Sequence, residues 1–234
     1  MNGVMRIDAI LSRFGYCSRR EAAAWVKRGR VTVPGKTLRS VADKAEPAEV
    51  LIDGKPVEFV NGLYVALHKP LGCTCSHKEE GELVYDLLPP QWLNRSNGVS
   101  TVGRLDKETS GLLLLTDDGA FVHALTSPKK HVPKVYEFET SAPIPESAVA
   151  AFASGDFMLE GETTPCLPAE LQILSPRHGQ LTLHEGRYHQ VRRMLAAVGA
   201  PVVNLSRIAI GSLRLETLNL APGEWVEIDP SLFS

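Results

Sequence analysis

The sequence predicts an α+β fold in which a small N-terminal helical module precedes a larger domain, built on a mixed, mainly antiparallel β-sheet with flanking helices. Two observations favour this class. Two short helices open the chain, and after Leu63 the strand-like segments outnumber the helical ones without alternating regularly with them. We place the boundary near Pro56–Gly62, which gives predicted domains of residues 1–58 and 62–234.

The N-terminal module begins with two helices joined by a tight turn. Apolar residues from Ile7 to Phe14 follow helical spacing, and Gly15 can end this first helix in a left-handed conformation. Ser18 and Glu21 have the spacing of a capping box, in which the serine oxygen accepts a hydrogen bond from the glutamate backbone amide. A second helix is therefore expected to start at this point.

The other predicted elements are mostly strands. A hairpin with a Pro-Gly turn completes the N-terminal module, with strands over residues 31–33 and 36–38. Strands of the larger domain are expected over residues 64–67, 111–116, 135–140, 169–174, 180–184, 202–205 and 225–228. Helices are expected over residues 120–125, 145–153 and 188–198.

Composition excludes several classes of protein. The chain has 234 residues, and its longest aliphatic run, Leu112–Leu115, is far shorter than the roughly 20 apolar residues of a membrane-spanning helix. No secretory signal is visible at the N-terminus, and the four cysteines include no Cys-x-x-Cys pair. We therefore expect a cytoplasmic protein with reduced thiols, no membrane partner and no metal.

Charge is divided unevenly along the chain. The formal net charge is only -2, from 25 Lys+Arg and 27 Asp+Glu. Residues 1–44 nevertheless carry ten basic and three acidic side chains, whereas the remaining 190 residues carry 15 and 24. Such asymmetry is typical of a nucleic-acid-binding module joined to another domain, although two solvated helix faces would also explain it.

The first segment that could carry chemistry spans residues 101–119. Asp106 lies in its polar part, just before the apolar run Leu112–Leu115. A buried strand there would hold the preceding loop in place. Functional residues are often found on loops that a rigid scaffold positions in this way. The alternative is an aspartate that only caps its own turn.

A second dense segment spans residues 181–194 and is rich in cationic and titratable side chains. Arg192 is placed where it could pair with a buried carboxylate, whereas Arg187 could lie on a solvated or phosphate-facing surface. His184 and His189 are five residues apart, which excludes the i, i+4 zinc pair of metallopeptidases. Because Gly-rich phosphate loops are also absent from the sequence, nucleotide cofactors are disfavoured.

The N-terminal stretch RIDAILSRFGYCSRREAAAWVKRGRVTVPGK resembles the S4-like RNA-binding domain. The resemblance covers about a fifth of the chain and rests mainly on SRREA followed by GRVxV. It implies that basic side chains of this module contact RNA phosphates, namely Arg19, Arg20, Lys27, Arg28 and Arg30.

The larger domain resembles the RsuA branch of the pseudouridine synthases, which modifies ribosomal RNA. GRLD at residues 103–106 with TSGLL at 109–113 is similar to the catalytic motif of that family. EGRYHQVRRM at 185–194 looks like its later arginine-bearing motif, and LHKPLG at 67–72 and KVY at 134–136 also match. The resemblance implies a pseudouridine synthase catalytic domain that detaches uracil, rotates it and reattaches it through C5, without any cofactor.

The resemblance also implies roles for individual residues. Asp106 would attack C1′ or abstract a sugar proton, and the sequence leaves both mechanisms open. Tyr136 would stack on a flipped uracil with Val191 against the other face. Arg104 would fill the vacated space or hold a phosphate, and Arg192 would pair with Asp106 to keep it ionised.

Further RNA contacts are expected around the same centre. The resemblance implies them for three residues of the two later motifs, Lys134, Arg187 and His189. A local basic cluster could also guide RNA, although a bare charge run is more often a solvated loop; it consists of Lys129, Lys130, His131 and Lys134.

The predicted activity is conversion of uridine to pseudouridine in small-subunit (16S) ribosomal RNA. YHQ at residues 188–190 favours this target, because the large-subunit branch usually has Asn-Arg-Gln or Asn-Arg-Glu there. A synthase acting on large-subunit RNA and a noncatalytic RNA-binding ribosome-assembly factor are the alternatives. The expected partner is ribosomal RNA in a small-subunit assembly intermediate, bound by a monomeric protein.

Overall fold

The computed structural model describes residues 3–76, 81–127 and 130–233, so Lys129 of the basic cluster lies outside the described residues. In chain order the regular elements are β1 (Met5–Arg6), α1 (Ile7–Arg13), α2 (Arg19–Lys27), β2 (Val31–Thr32), β3 (Lys44–Ala45), β4 (Leu51–Ile52), β5 (Lys55–Pro56), β6 (Tyr64–Lys69), α3 (Pro90–Leu93), β7 (Ser100–Thr101), β8 (Ser110–Thr116), α4 (Gly119–Thr126), β9 (Lys134–Thr140), α5 (Ser147–Ala153), β10 (Glu170–Ser175), β11 (His178–Leu183), α6 (Gln190–Ala197), β12 (Val202–Ile210), β13 (Leu213–Arg214) and β14 (Trp225–Glu227). The α+β class is confirmed. Within the described residues, none of the helices is long and apolar enough to cross a membrane.

The described chain forms two compact units. The first contains the chain up to Tyr64 together with two later segments, Tyr85–Ser100 and Leu115–Gly119, and the second contains the rest. Within the first unit, Arg95 forms a buried ion pair with Asp117 at 2.8 Å and also donates to the backbone carbonyl of Phe59. The division of the chain at residues 58 and 62 remains a prediction, and the compact units differ from it by recruiting these two later segments.

The helices of the first unit begin and end as their sequence indicates. The capping box is formed, since the Ser18 side chain accepts from the Glu21 amide while the Glu21 carboxylate accepts from the Ser18 amide. Gly15 has φ +80, which is the left-handed conformation expected after α1. Ile7 and Phe14 are buried in the core of this unit.

The predicted hairpin at residues 31–38 is wrong in its return strand. The Pro-Gly turn is closed by a single bridge between Val33 and Lys36, and β2 pairs instead with β4. β4 and β5 form their own hairpin around Asp53 and Gly54, both of which have positive φ. This is the backbone conformation that a two-residue hairpin turn requires, so β4 and β5 pair with each other while the other edge of β4 pairs with β2.

A mixed sheet forms the centre of the second unit. Its strand order is β10-β11-β9-β12-β8-β6-β14, with β13 on β12 and β7 on β8. Most of the pairs are antiparallel, whereas β12 and β8 are parallel. The side chains of Leu112–Leu115 in β8 are buried. The β8 strand therefore anchors the loop that precedes it.

Most predicted strands and helices of this unit are present, with two differences that matter for the site. β12 continues to Ile210, five residues beyond its predicted end at Leu205. α6 starts at Gln190 rather than Tyr188, because His189 adopts a left-handed conformation with φ +49. The longer β12 includes Arg207, which lines the cavity described next, and the later start of α6 leaves His189 in the segment before the helix.

Candidate active site

A cavity of about 300 Å³ opens in the second unit. Its walls are the loop before β8, the start of β9, the segment that leads into α6, and β12. All eight site residues predicted for the larger domain line this cavity: Arg104, Asp106, Lys134, Tyr136, Arg187, His189, Val191 and Arg192. Residues far apart in the sequence therefore meet at one concave site.

The Asp106 loop is fixed by its neighbours. Leu105 is buried, and its backbone amide donates to the Cys75 sulfur at 3.5 Å. The Thr109 amide donates to the Asp106 carbonyl oxygen at 3.0 Å, which closes a turn directly after the carboxylate. Asp106 thus projects from a loop held at both ends.

A fully buried lysine supports the same loop from β6. Lys69 Nζ donates to the carbonyl oxygens of Thr109 at 2.8 Å and Pro70 at 3.0 Å. Burial lowers the pKa of Lys69, while nearby acidic groups including Asp106 act in the opposite direction. The LHKPLG motif therefore ties the end of β6 to the end of the Asp106 loop, a role that sequence reasoning did not assign.

His189 is the side chain that contacts the Asp106 carboxylate. Its Nε2 lies 3.3 Å from Asp106 Oδ1, and its ring stacks on Tyr188 with centroids 3.9 Å apart. A left-handed backbone is uncommon for a residue other than glycine and is often found at functional sites. Here it ends the loop before α6 and turns the ring of His189 toward Asp106.

The expected ion pair between Arg192 and Asp106 is absent from the described structure. Arg192 Nη2 instead donates to the backbone carbonyl oxygen of Glu108 at 2.8 Å. That carbonyl belongs to the turn immediately after Asp106 and competes with the carboxylate for the guanidinium. Arg192 therefore holds the turn, while His189 contacts the carboxylate.

Two apolar or aromatic side chains complete the walls. Tyr136 lies in β9, directly opposite Leu181 on one side and Arg207 on the other. Val191 is buried in the first turn of α6 and packs in the core of this unit. Both residues line the cavity, so a planar ring could contact them together.

The cations at the cavity differ in exposure. Arg104 is exposed to solvent. Lys134 is partly buried and donates to the Val132 carbonyl oxygen at 2.9 Å. Burial, followed by the charge of Arg207, lowers the pKa of Lys134. Arg104 is therefore the better placed of the two for a solvent-facing phosphate.

Arg187 is engaged within the protein. Its guanidinium contacts Glu185 at 3.1 Å and Glu162 at 3.5 Å, and it donates to the Thr164 carbonyl oxygen at 2.8 Å. A further donor reaches the Pro165 carbonyl oxygen. These bonds leave Arg187 few donors for RNA and give it a role in ordering the cavity wall.

The basic residues of the N-terminal unit form an exposed group around α2. The exposed members are Arg19, Arg20, Lys27 and Arg28. Arg30 is different, because its Nε donates to Asp53 at 3.0 Å and its guanidinium lies 3.6 Å from the ring centroid of Trp25. Four of the five predicted phosphate-binding side chains are therefore open to solvent, and Arg30 is tied to its neighbours.

Sequence reasoning missed Arg207 as a cavity residue. It is 2% exposed, it lines the cavity, and its Nε donates to the Leu112 carbonyl oxygen at 2.8 Å. The signal was an arginine directly before the apolar residues 208–210 and close to Leu205, since arginine is seldom fully buried without a partner. Because the predicted strand ended at Leu205, Arg207 was not recognised as a buried strand residue.

The two parts of the chain each match a known family. Residues 63–197 match the RNA pseudouridylate synthase family, and residues 5–51 match the S4 domain. The chain belongs to the RNA pseudouridylate synthase family.

Several named relatives resemble this chain over nearly its whole length. Ribosomal small subunit pseudouridine synthase A of Escherichia coli (strain K12) is 38% identical, with 94% of this chain and 95% of that protein covered. The protein of the same name from Pasteurella multocida (strain Pm70) is 39% identical, with 94% of both chains covered. Uncharacterized RNA pseudouridine synthase YtzG of Bacillus subtilis (strain 168) is 38% identical, with 96% and 95% covered. A crystal structure of a pseudouridylate synthase is 34% identical with a TM-score of 0.68, and 98% of each chain is covered.

Proposed function

We propose that this protein isomerises one or more uridines to pseudouridine in small-subunit (16S) ribosomal RNA, with Asp106 as the catalytic residue. The observation that carries the proposal is the shared cavity of Asp106, Tyr136 and Arg192 in a chain of the RNA pseudouridylate synthase family. Relatives 38–39% identical that are named for the ribosomal small subunit support the choice of RNA.

The reaction is an isomerisation, so substrate and product contain the same atoms. The C1′–N1 bond breaks with its electron pair on N1, the uracil rotates, and a C5–C1′ bond forms. The proton on C5 then leaves, and N1 takes up a proton. Asp106 either bonds to C1′ or removes a proton from the sugar, and both roles need an ionised carboxylate beside the ribose.

The target nucleotide must leave the RNA stack to enter a cavity of this size, at a cost of a few kcal/mol. Tyr136 and Val191 offset part of that cost by contacting the uracil faces, since stacking on an aromatic side chain is worth about 1–3 kcal/mol per base. Arg104 contacts a phosphate or fills the vacated space, and Lys134 and His189 contact the nucleotide at the cavity wall. Arg192 positions the turn that follows Asp106.

The exposed basic side chains around α2 bind backbone phosphates of the ribosomal RNA, and Arg30 contributes to the same basic group. Binding of this kind recognises shape rather than base sequence, which suits structured RNA. In this proposal the protein acts as a monomer in the cytoplasm, on a small-subunit assembly intermediate.

The test is to map pseudouridine in ribosomal RNA from cells with and without the gene. We expect at least one position of 16S RNA to revert to uridine and to be restored by the plasmid-borne gene. Loss of a position in large-subunit RNA instead would replace the proposed target. No change at any position would favour the noncatalytic assembly factor.

A further inference from the structure

Arg207 is the buried cation of the cavity whose hydrogen-bonding capacity is incompletely used. Its Nε donates to the Leu112 carbonyl oxygen, whereas Nη2 is buried and has no hydrogen-bond partner. Among the residues that the structure describes, no carboxylate forms an ion pair with Arg207. A buried guanidinium with a free donor is costly, so an acceptor is expected to reach it when the site is occupied.

The position of Arg207 in the sheet is fixed on both sides. It pairs with Tyr136 across the antiparallel β12–β9 ladder and with Gly111 across the parallel β12–β8 ladder. Side chains directly opposite each other on neighbouring strands lie on the same face of a sheet. Arg207 and Tyr136 therefore stand side by side, and both line the cavity that contains Asp106.

The positive charge of Arg207 acts on another titratable group of the cavity. It contributes to the lowered pKa of Lys134, which lines the same wall. With only 2% of its surface exposed, Arg207 is poorly placed for a hydrated phosphate of the RNA backbone. A planar group that enters the cavity and carries negative charge on an oxygen is the better match.

The reaction of the proposed function, on which this inference rests, creates such a group. When the C1′–N1 bond breaks, its electron pair leaves with the base, and the resulting uracil anion spreads its charge over N1 and the two carbonyl oxygens. We propose that Arg207 is a further catalytic residue, which donates a hydrogen bond to a uracil carbonyl oxygen and stabilises the departing uracil anion. Asp106 acts on the sugar and Arg207 acts on the base.

This role predicts that the reaction rate depends most on Arg207 when the departing base is a poor leaving group. Removing one donor that stabilises a developing anion typically slows a reaction by a factor of about 100 to 1000. We expect Arg207→Met to consume target uridine about 100-fold more slowly than the unmodified protein in a single-turnover assay. Arg207→Lys keeps a cation without the guanidinium fork, and we expect an intermediate rate.

The decisive comparison uses 16S RNA transcribed with 5-fluorouridine in place of uridine. Fluorine at C5 makes the uracil anion more stable, so cleavage of C1′–N1 depends less on an external donor. Because C5 of this substrate has no proton to lose after the C5–C1′ bond forms, water adds across the N1=C6 bond and the product is one water heavier than 5-fluorouridine. We expect Arg207→Met to slow formation of this hydrate by about tenfold or less, measured by mass spectrometry of the digested nucleosides. Arg214→Met, at an exposed arginine of β13, is the control and should leave both rates unchanged.

The outcomes separate this inference from the proposed function. If the unmodified protein converts no uridine in 16S RNA, the proposed function fails. If it is active and the Arg207 variants slow both substrates by the same factor, Arg207 only supports the sheet and the inference is overturned. An Arg207→Met rate equal to that of the unmodified protein also overturns it. If Arg207→Met does not fold, the same comparison of substrates is made with Arg207→Lys.

Discussion

The Nε2 atom of His189 lies 3.3 Å from Oδ1 of Asp106, and the two side chains are 35% and 34% exposed. The contact joins the loop before β8 to the segment before α6, 83 positions apart in the sequence. It depends on the left-handed backbone of His189, which ends the approach to α6. His189 is therefore well placed to orient the Asp106 carboxylate as well as to contact RNA.

The first prediction concerns this pair of side chains. Misplacing a reacting group by about 1 Å can slow a reaction about 100-fold, and solvent around a pair that is about one third exposed weakens its effect on the carboxylate. We expect His189→Ala to lower kcat about tenfold and His189→Gln to restore part of the loss. The control is His178→Ala, because His178 pairs with Glu137 and does not line the cavity. An unchanged kcat in His189→Ala would show that the pair has no part in the reaction.

The second prediction concerns the exposed basic group around α2. Arg20 and Lys27 are exposed and seven residues apart, hence on one face of the helix. Removing one phosphate-binding side chain should reduce the slope of log K against log salt by about 0.7–0.9. We expect the double variant R20A/K27A to bind 16S RNA more weakly, with a slope shallower by about 1.5.

The matched control is R39A/K55A, which removes the same charge from exposed positions of the same unit outside α2. Equal slopes for the two double variants would mean that only net charge matters. Deleting residues 1–58 is a poorer test, because the first unit also contains Tyr85–Ser100. The deletion would remove Glu58, which accepts a hydrogen bond from the buried Trp92.

The third prediction concerns Gly111, where β8 meets β12. Gly111 has φ +109, and a Cβ there would collide with the backbone oxygen and nitrogen of Arg207. We expect Gly111→Ala to destabilise the protein by more than about 3 kcal/mol and to lower Tm by roughly 6–12 °C. Gly119→Ala is the control, since nothing lies within 4 Å of its added methyl group. A Tm equal to that of the unmodified protein would contradict the close approach of the two strands.

The sequence predicted which residues line this cavity better than it predicted the contacts between them. Local patterns were sufficient for the capping box at Ser18 and for the buried strand behind Asp106, because both depend on near neighbours. The partner of Asp106 was predicted as Arg192, whereas the structure has His189. Which side chain contacts Asp106 depends on the left-handed backbone of His189 and on the Glu108 carbonyl. Neither feature can be recognised from the spacing of residues in the sequence.

The fourth prediction concerns Cys17. Burial, followed by the charge of Glu21, raises the pKa of the Cys17 thiol to about 11. Only about 0.1% of the thiol is then ionised at pH 8, against about 10% for a thiol with a pKa of 9. We expect iodoacetamide to modify Cys17 about 100-fold more slowly in the folded protein than in urea.

The sign of the pH dependence follows from the same shift. Because the folded-state pKa of Cys17 is raised, its contribution to stability is complete below pH 9 and is lost as the pH rises toward 11. The alkylation rate should rise about tenfold for each pH unit over that range. A rate that reaches its plateau near pH 9 would show that the thiol is not shielded.

The most direct test of the catalytic assignment is to replace Asp106 with Asn, which preserves the size of the side chain and removes its charge. Purified Asp106→Asn and the protein without substitutions are each incubated with 16S RNA that contains no pseudouridine. Pseudouridine is then mapped at each position. Asp156→Asn, outside the cavity, is the control. We predict conversion by the unmodified protein and the control, and none by Asp106→Asn, although it folds and binds the RNA with unchanged affinity. Full conversion by folded Asp106→Asn would contradict the assignment of Asp106 as the catalytic residue.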